Sequence, residues 1–323
     1  MKNILVTGGA GFIGSHLVDS LLKDGQHRVV VVDNFDNYYN KEIKLRNIKS
    51  HLLHDNYTLI EEDIRNREAI EQIVAEYDPE VIVHLAARAG VRPSLQDPKG
   101  YVEVNINGTV NLLDAAVKHK VSKFVFGSSS SVYGLNQKVP FAEVDPTLLI
   151  ASPYGATKAA GESLCHSYSN CFDISIVALR FFTVFGPRQR PDLAIHNFSK
   201  RILNEEPISL FGDGTSSRDY TFVDDIVSGI RKSIELEISG YQVFNLGNDQ
   251  PTGLLELVQI LEENLGKKAI IDWKPMQVGD VPKTWADIQK SRELLGYSPS
   301  TSFQQGIAEF AKWVKAEYEI VIK

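Results

Sequence analysis

The chain has 323 residues, 43% of them hydrophobic and 23% charged, with a formal net charge of -7 at pH 7. That length buries a large core, as one elaborate domain or two intimate ones, and the composition is that of an ordinary globular protein. The acidic balance argues against a general nucleic-acid binder, and no apolar run reaches membrane-spanning length. Cys165 and Cys171 are the only cysteines. With no histidine cluster beside them, they read as small packing residues on a helix, and no metal site is expected. The N-terminus runs straight into a strand, which sets a cytoplasmic expectation.

Asn3-Ile4-Leu5-Val6-Thr7 is a short apolar strand that stops at glycine. Gly8-Gly9-Ala10-Gly11-Phe12-Ile13-Gly14 follows, then a helical pattern with Ile13, Leu17, Val18, Leu21 and Leu22 on one face, closed at Gly25. A second strand, Arg28-Val29-Val30-Val31-Val32, ends at Asp33. Strand, glycine-rich turn, helix, strand and acid stand in the order a dinucleotide site requires. Gly8 permits the tight turn, Gly11 lets backbone approach a pyrophosphate, and Gly14 lets the helix pack closely on the sheet. The helix N-terminus offers its unpaired N–H groups to the anion. Asp33 lies where a carboxylate accepts bonds from ribose hydroxyls, and it would repel a phosphate there. Asn34 and Phe35 follow without an adjacent arginine, so NAD is expected over NADP.

The alternation of strand and helix continues, which predicts a parallel, doubly wound α/β sheet of the Rossmann type. Asp63 and Ile64 follow the strand pattern Tyr57-Thr58-Leu59-Ile60. A helix over 66–77 carries Ile70, Ile73, Val74 and Tyr77 inward. Val81-Ile82-Val83-His84-Leu85 runs into Ala86-Ala87, small residues that leave room for a cofactor at a strand's carboxyl end. His84 reads as a hydrogen-bonded core residue within an apolar strand. A helix over 105–119 starts at Asn105. The strand Lys123-Phe124-Val125-Phe126 ends in a serine run, Ser128-Ser129-Ser130-Ser131, before Val132-Tyr133-Gly134, at the sheet edge where ligands bind.

Tyr154-Gly155-Ala156-Thr157-Lys158 sets a phenol and an ammonium one helical turn apart on one face. A cation fixed beside a tyrosine stabilises the phenolate, which suits it to exchange a proton with a substrate hydroxyl. Taken together, the glycine turn, the serine run and this pair resemble the extended short-chain dehydrogenase/reductase superfamily, and within it the nucleotide-sugar epimerases. The resemblance implies a triad of Ser129, Tyr154 and Lys158, with Ser129 bonding the sugar's 4-oxygen and Lys158 also meeting the nicotinamide ribose. It further implies NAD contacts from Gly8, Gly11, Phe12, Ile13, Gly14, Asp33, Asn34, Asp63, Ile64, Leu85, Ala86, Ala87, Asn105, Tyr154 and Lys158.

Related dehydratases and decarboxylases carry carboxylates beside the triad hydroxyl, whereas this chain has Ser130 and Ser131, which do not ionise at neutral pH. Elimination needs an extra acid and base, so epimerisation at C4 is the expected chemistry. The segments Arg180-Phe181-Phe182-Thr183-Val184-Phe185-Gly186-Pro187-Arg188-Gln189-Arg190-Pro191-Asp192, Ser128 to Asn136, and Leu85 to Ser94 are similar to those of UDP-glucuronate 4-epimerases. That likeness implies Arg190 facing the hexuronate carboxylate, where a planar guanidinium fork suits the ligand. Arg188 reads more readily as part of a solvated basic loop. Arg92, Ser130, Ser131 and Thr183 are the other expected sugar contacts. Arg218 of Arg218-Asp219-Tyr220 is expected at the diphosphate, and Asp280 at the uridine ribose. Gln277 stands where many relatives have an arginine, which leaves more of that charge to Arg218.

Ser302-Phe303-Gln304-Gln305 is a capping box before a final amphipathic helix that contains Phe310 and Trp313, and another helix starts at Thr252. With no repeat or long linker, the expected domains interleave. Residues 1–178 with 216–243 bind NAD, and 179–215 with 244–323 bind the UDP-sugar. The family expectation is a homodimer. Epimerases of UDP-glucose or UDP-N-acetylglucosamine stay open as alternatives, with a decarboxylase or a dehydratase behind them. A non-catalytic NAD-binding regulator would need no phenol–ammonium pair.

Overall fold

The computed structural model describes residues 1–276 and 281–322. From the N-terminus the elements are β1 (Lys2–Thr7), α1 (Phe12–Lys23), β2 (His27–Val32), α2 (Lys41–Ile48), β3 (Tyr57–Ile60), α3 (Arg67–Tyr77) and β4 (Val81–His84). Two short helices, α4 (Val91–Gln96) and α5 (Pro98–Val102), lead through a wide helical turn into α6 (Gly108–Lys118). β5 (Lys123–Ser129), α7 (Pro153–Cys171) and β6 (Ser175–Phe181) follow. Next come β7 (Thr183–Phe185), α8 (Ala194–Leu203), β8 (Pro207–Phe211), β9 (Ser217–Phe222) and α9 (Val223–Glu235). The chain ends with β10 (Tyr241–Leu246), β11 (Pro251–Gly253), α10 (Leu254–Leu265), β12 (Ile270–Lys274), α11 (Gln289–Leu295) and α12 (Phe303–Ile322).

One seven-stranded sheet, in the order β10-β6-β5-β4-β1-β2-β3, is parallel throughout. The doubly wound expectation is met. Strand side chains alternate between faces, and the two cores show it directly. Ile4, Val6, Val81, Val83, Val125 and Val177 enter one core with α1 and α9, while Leu5, Ile82, Phe124, Phe126 and Ile176 enter the other with α3, α6 and α7. Strand order reverses at β1, so the carboxyl ends of β1 and β4 open a crevice there.

Two small sheets, β11-β9-β7 and β12-β8, form from the chain after β6. β9 pairs with β7 and β11 rather than with the large sheet, while α9 packs on α1 and β10 joins the large sheet. The chain thus leaves the large sheet after β6, returns to it at β10 and leaves it again.

Local chemistry explains the helix ends. Asn66 caps α3 by accepting from Ala69 N, and Ser152 caps α7 by accepting from Gly155 N, with Pro153 in the first turn. Ser302 and Gln305 exchange hydrogen bonds as the capping box requires. The helix expected from 105 starts in regular form at Gly108, because residues 103–107 wind more widely and Thr109 Oγ1 bonds back to Asn105 O at 2.6 Å. Cys165 is buried in α7, whereas Cys171 is exposed at its end.

Candidate active site

The glycine turn meets the crevice as its spacing requires. A Cβ on Gly14 would lie 2.2 Å from Gly8 O, so only glycine lets α1 start this close to the strand. Gly11 stands at the N-cap of α1 without a side-chain cap. Gly8, Gly11, Phe12, Ile13 and Gly14 line one wall of the crevice. Asp33, Asn34, Asp63, Ile64, Leu85, Ala86, Ala87, Tyr154 and Lys158 line it too, with Leu85 and Ala86 directly against Gly8.

Asp33 is buried, and burial raises its carboxyl pKa, against which Lys44 is the main opposing charge. Its oxygens accept from Ala10 N at 3.1 Å and Phe35 N at 2.9 Å, and Lys44 Nζ stands 4.0 Å away. Asn34 Nδ2 donates to Asp63 at 2.8 Å, and Arg65 grips Asp63 at two points, 3.0 and 2.7 Å. The Arg65 hydrogen bonds bring the Asp63 carboxyl down to about 2. This is a crevice shaped for a dinucleotide. Asn105 is placed differently from the wall residues. Its amide accepts from Arg88 N at 2.8 Å and donates to Arg88 O at 2.9 Å and Thr157 Oγ1 at 3.0 Å, so it holds the wall from behind.

Ser129 ends β5, and Tyr154 and Lys158 come from the first turns of α7. Helix α7 comes close to the serine turn after β5, where a Cβ on Gly155 would lie 2.7 Å from Ser131 O, a distance that only glycine tolerates. Ser129 Oγ accepts from Ser131 N and donates to Ser131 Oγ, each at 3.2 Å. The Tyr154 phenol is raised by burial, and its hydrogen bond with Ser129 and the charge of Arg190 oppose that rise. Lys158 is buried and donates from Nζ to Gly127 O at 2.6 Å, over the Phe126 ring. Burial brings its ammonium down to about 8. The cation opposing the Tyr154 shift is therefore Arg190, where helical spacing alone pointed to Lys158. The reason is geometric, since the lysine runs inward to a carbonyl of β5.

Arg190 lines the same crevice. Its Nε and Nη2 donate to Asp192 at 2.9 and 2.8 Å, and its guanidinium lies 5.2 Å from the centre of the Tyr38 ring. Arg188 instead bonds Asp19 of α1 at 2.6 Å and fastens this loop to the large-sheet layer. Arg92 of α4 stacks on Phe211 at 4.6 Å. Arg218 Nη1 donates to Ser217 O at 2.9 Å and Pro282 O at 3.3 Å. Thr183 sits half-buried at the start of β7, and Ser130 and Ser131 are half-buried in the turn after β5. Asp280 and Gln277 lie outside the described residues.

His84 is the hydrogen-bonded core residue that its strand implies. Its Nδ1 is 2.7 Å from Thr7 Oγ1 and its Nε2 is 2.9 Å from Thr109 Oγ1. Because Thr109 spends its hydrogen on Asn105 O, Nε2 is the donor and Nδ1 the acceptor. Burial, and then the Lys158 charge, bring the imidazole down to about 3.

Sequence reading missed Tyr38, Tyr39 and Lys44, which line the crevice from the segment after β2. No periodic signal marks that segment; only its polar and aromatic density after Asp33 hinted at a ligand wall. It also passed over Glu162 and Arg180, a buried bidentate pair at 3.0 and 2.7 Å between α7 and β6. Glu162 stands four residues after Lys158, a repeat of the Tyr154-to-Lys158 interval that was there to be read.

Comparisons with known proteins agree with this geometry. Residues 4–247 match the model of the NAD dependent epimerase/dehydratase family. The UDP-glucuronate 4-epimerase of Thermodesulfobacterium geofontis is 40% identical over 325 residues, covering 99% of this chain and 98% of that protein. The crystal structure of UDP-glucuronic acid 4-epimerase from Bacillus cereus, in complex with UDP-glucuronic acid and NAD, superposes with a TM-score of 0.92 at 41% identity. That match covers 98% of this chain and 100% of the other. UDP-glucose 4-epimerase from Thermotoga maritima, bound to UDP-glucose, superposes at 0.88 with 35% identity, over 98% of this chain and 99% of that one. With this match across the glycine turn, the large sheet and the Tyr154 helix, the chain belongs to the NAD dependent epimerase/dehydratase family.

Proposed function

We propose that the protein interconverts UDP-glucuronate and UDP-galacturonate through a transient 4-keto sugar. The observation that carries this reading is that Tyr154, Lys158 and Arg190 line the dinucleotide crevice together, with Ser129 bonded to the Tyr154 phenol. NAD, held by the glycine turn and Asp33, supplies reversible hydride acceptance at C4. The protein's own task is the proton. Tyr154 takes it from the 4-hydroxyl as the C4–H hydride leaves, and returns it when the hydride comes back to the other face. The Ser129 hydroxyl steadies the phenolate and the sugar's 4-oxygen. Lys158, anchored on Gly127 O in the crevice wall, holds a positive charge there and would meet the nicotinamide ribose.

The uronate carboxylate makes the 4-keto sugar a β-keto acid, which loses CO2 when the carboxylate bond aligns with the ketone. Arg190 holds that carboxylate out of alignment, helped by Ser130, Ser131 and Thr183. Its Nε and Nη2 are steered by Asp192, so Nη1 is the end offered to the sugar. Ser130 and Ser131, where acids would serve elimination, favour epimerisation over dehydration. Arg92, Arg218 and Asp280 take the nucleotide end. Relatives named for UDP-glucuronate and the Bacillus cereus complex support the uronate. The Thermotoga maritima neighbour keeps UDP-glucose as the second reading.

In this division, 1–178 with 216–243 carries NAD, and 179–215 with 244–323 carries the UDP-sugar. The working form is a cytoplasmic homodimer, as the family resemblance implies, and light scattering on the eluted protein tests that stoichiometry. No helix among the described residues is long and apolar enough to cross a membrane. Offering UDP-glucuronate, UDP-glucose and UDP-N-acetylglucosamine in parallel and identifying products by NMR tests the substrate. Turnover of the neutral sugars alone would remove the uronate from this account.

A further inference from the structure

Helix α7 does not stop presenting functional groups at Lys158. Tyr154, Lys158 and Glu162 follow one another at four-residue intervals along one face, and the last two are buried. Glu162 is held by three hydrogen bonds from two residues. Arg180 of β6 grips it through Nε and Nη2 at 3.0 and 2.7 Å, and Ser128 Oγ donates to Oε1. Arg180 Nη1 also donates to Tyr133 Oη at 2.9 Å, and that hydroxyl donates to Asn245 Oδ1 at 2.7 Å. Ser128 adjoins Ser129, and Tyr133 closes the serine turn. The pair therefore ties the catalytic helix, the end of β5 and the serine turn into one buried network.

We propose that Glu162, locked by Arg180 and Ser128, is a positioning residue that keeps the Lys158 ammonium charged where it is anchored on Gly127 O. A buried lone cation favours its neutral form, and a fixed carboxylate one turn away opposes that. Several groups face this ammonium. Glu162 and Cys165 come from its own helix, His84 from β4, and the Phe126 ring and Gly127 carbonyl from β5. Tyr241 of β10 faces Glu162, and Tyr101 of α5 meets Tyr154 edge-on at 6.2 Å. Burial keeps the Cys165 thiol neutral, so Glu162 is the charged group of this set that attracts the ammonium, and its partner Arg180 is a cation beside it.

The inference rests on Lys158 acting with Tyr154, and the experiment separates the two. In the NAD-loaded protein, kcat is measured from pH 6 to 10 for the parent, Glu162→Gln, Glu162→Asp and Lys158→Met. Burial already brings Lys158 to about 8, so its charge is present below that pH and lost above it. Removing the carboxylate extends the loss downward. The alkaline limb of Glu162→Gln should move down by about one pH unit, with KM little changed and the aspartate variant moving part of the way back. Glu162→Gln leaves Arg180 buried and unpaired, which endangers folding. The double variant Glu162→Gln with Arg180→Met removes both charges together and keeps the measurement possible. Its limb should also move down, by less, because the repulsion from Arg180 goes with the attraction from Glu162. A uniform fall in kcat at every pH, with the limb unmoved, would reduce Glu162 to a packing role and overturn the inference. Turnover by Lys158→Met at the parental rate would instead overturn the catalytic reading of Lys158 beneath it.

Discussion

Asp192 takes two hydrogen bonds from Arg190, at 2.9 Å from Nε and 2.8 Å from Nη2, and so fixes the plane of a guanidinium in the wall of the crevice. Burial works against the Arg190 charge, and Asp192 more than restores it. Loss of a charged hydrogen-bonding partner costs about 1.5–3 kcal/mol, or roughly ten- to a hundredfold. Arg190→Ala is therefore expected to lower kcat/KM for UDP-glucuronate by about that factor and to release CO2, with a UDP-pentose among the products. Asp192→Asn should lower it less, and UDP-glucose, which has no carboxylate, should lose less than UDP-glucuronate in both, its remaining loss coming from the Arg190 charge that opposes the rise in the Tyr154 phenol. Product analysis by NMR with CO2 trapping reads all three effects.

Cofactor choice turns on Asp33 and Lys44. The carboxylate is fixed by Ala10 N and Phe35 N, with the ammonium 4.0 Å away in the same wall. Asp33→Ser removes the negative charge and leaves the cation. NAD should then bind about tenfold more weakly, while NADP gains, because Lys44 now meets the 2′-phosphate. Fluorescence titration with both dinucleotides checks this, and Asp33→Ser with Lys44→Met should lose the gain.

Much of this site was legible because it is local. The glycine turn, the strand before it and Asp33 lie within one βαβ unit, where period and glycine spacing determine the geometry. Ser302 and Gln305 were legible for the same reason. The helices at 91–102 were not, because Gly90, Pro93, Pro98 and Gly100 break up the periodic signal that a longer helix would show. Strand β5 runs on to Ser129 through Ser128↔Arg180 and Ser129↔Phe181 pairing, a non-local cause that a serine run conceals. Tertiary contact also decides which cation faces Tyr154. Helical spacing pointed to Lys158, but the chain brings Arg190 in from the loop after β7 and sends the lysine to Gly127.

The His84 network makes stability depend on acid. Burial lowers its pKa from 6.5 to about 3, so the fold holds the imidazole neutral while the unfolded chain takes up a proton below 6.5. This contribution is complete above 6.5 and declines as pH falls from 6.5 toward 3. Asp219, raised by burial to about 6, works the other way below that pH, because the fold favours its protonated form. A His84→Asn variant should show a lower Tm at pH 7.5 and a shallower decline of Tm between pH 6.5 and 4. Thermal melts over that range measure both.

Proton transfer by Tyr154 predicts a specific pattern of loss. Tyr154→Phe keeps the ring that meets Tyr101 edge-on, and removes only the hydroxyl. Turnover should fall by about 100- to 10,000-fold, while NAD and UDP-glucuronate still bind. Ser129→Ala should lose less, because Arg190 still opposes the rise in the phenol. Steady-state kinetics together with calorimetric binding separates the two kinds of loss.

The central claim is that hydride leaves C4 of the uronate and returns to the same carbon while Tyr154 carries the proton. UDP-glucuronate bearing deuterium at C4, incubated with the NAD-loaded protein in ordinary water, tests it directly by NMR. UDP-galacturonate with the deuterium still on C4 is the expected product. Washout of the label into solvent, or label retained in unconverted UDP-glucuronate while UDP-glucose is epimerised, would contradict it.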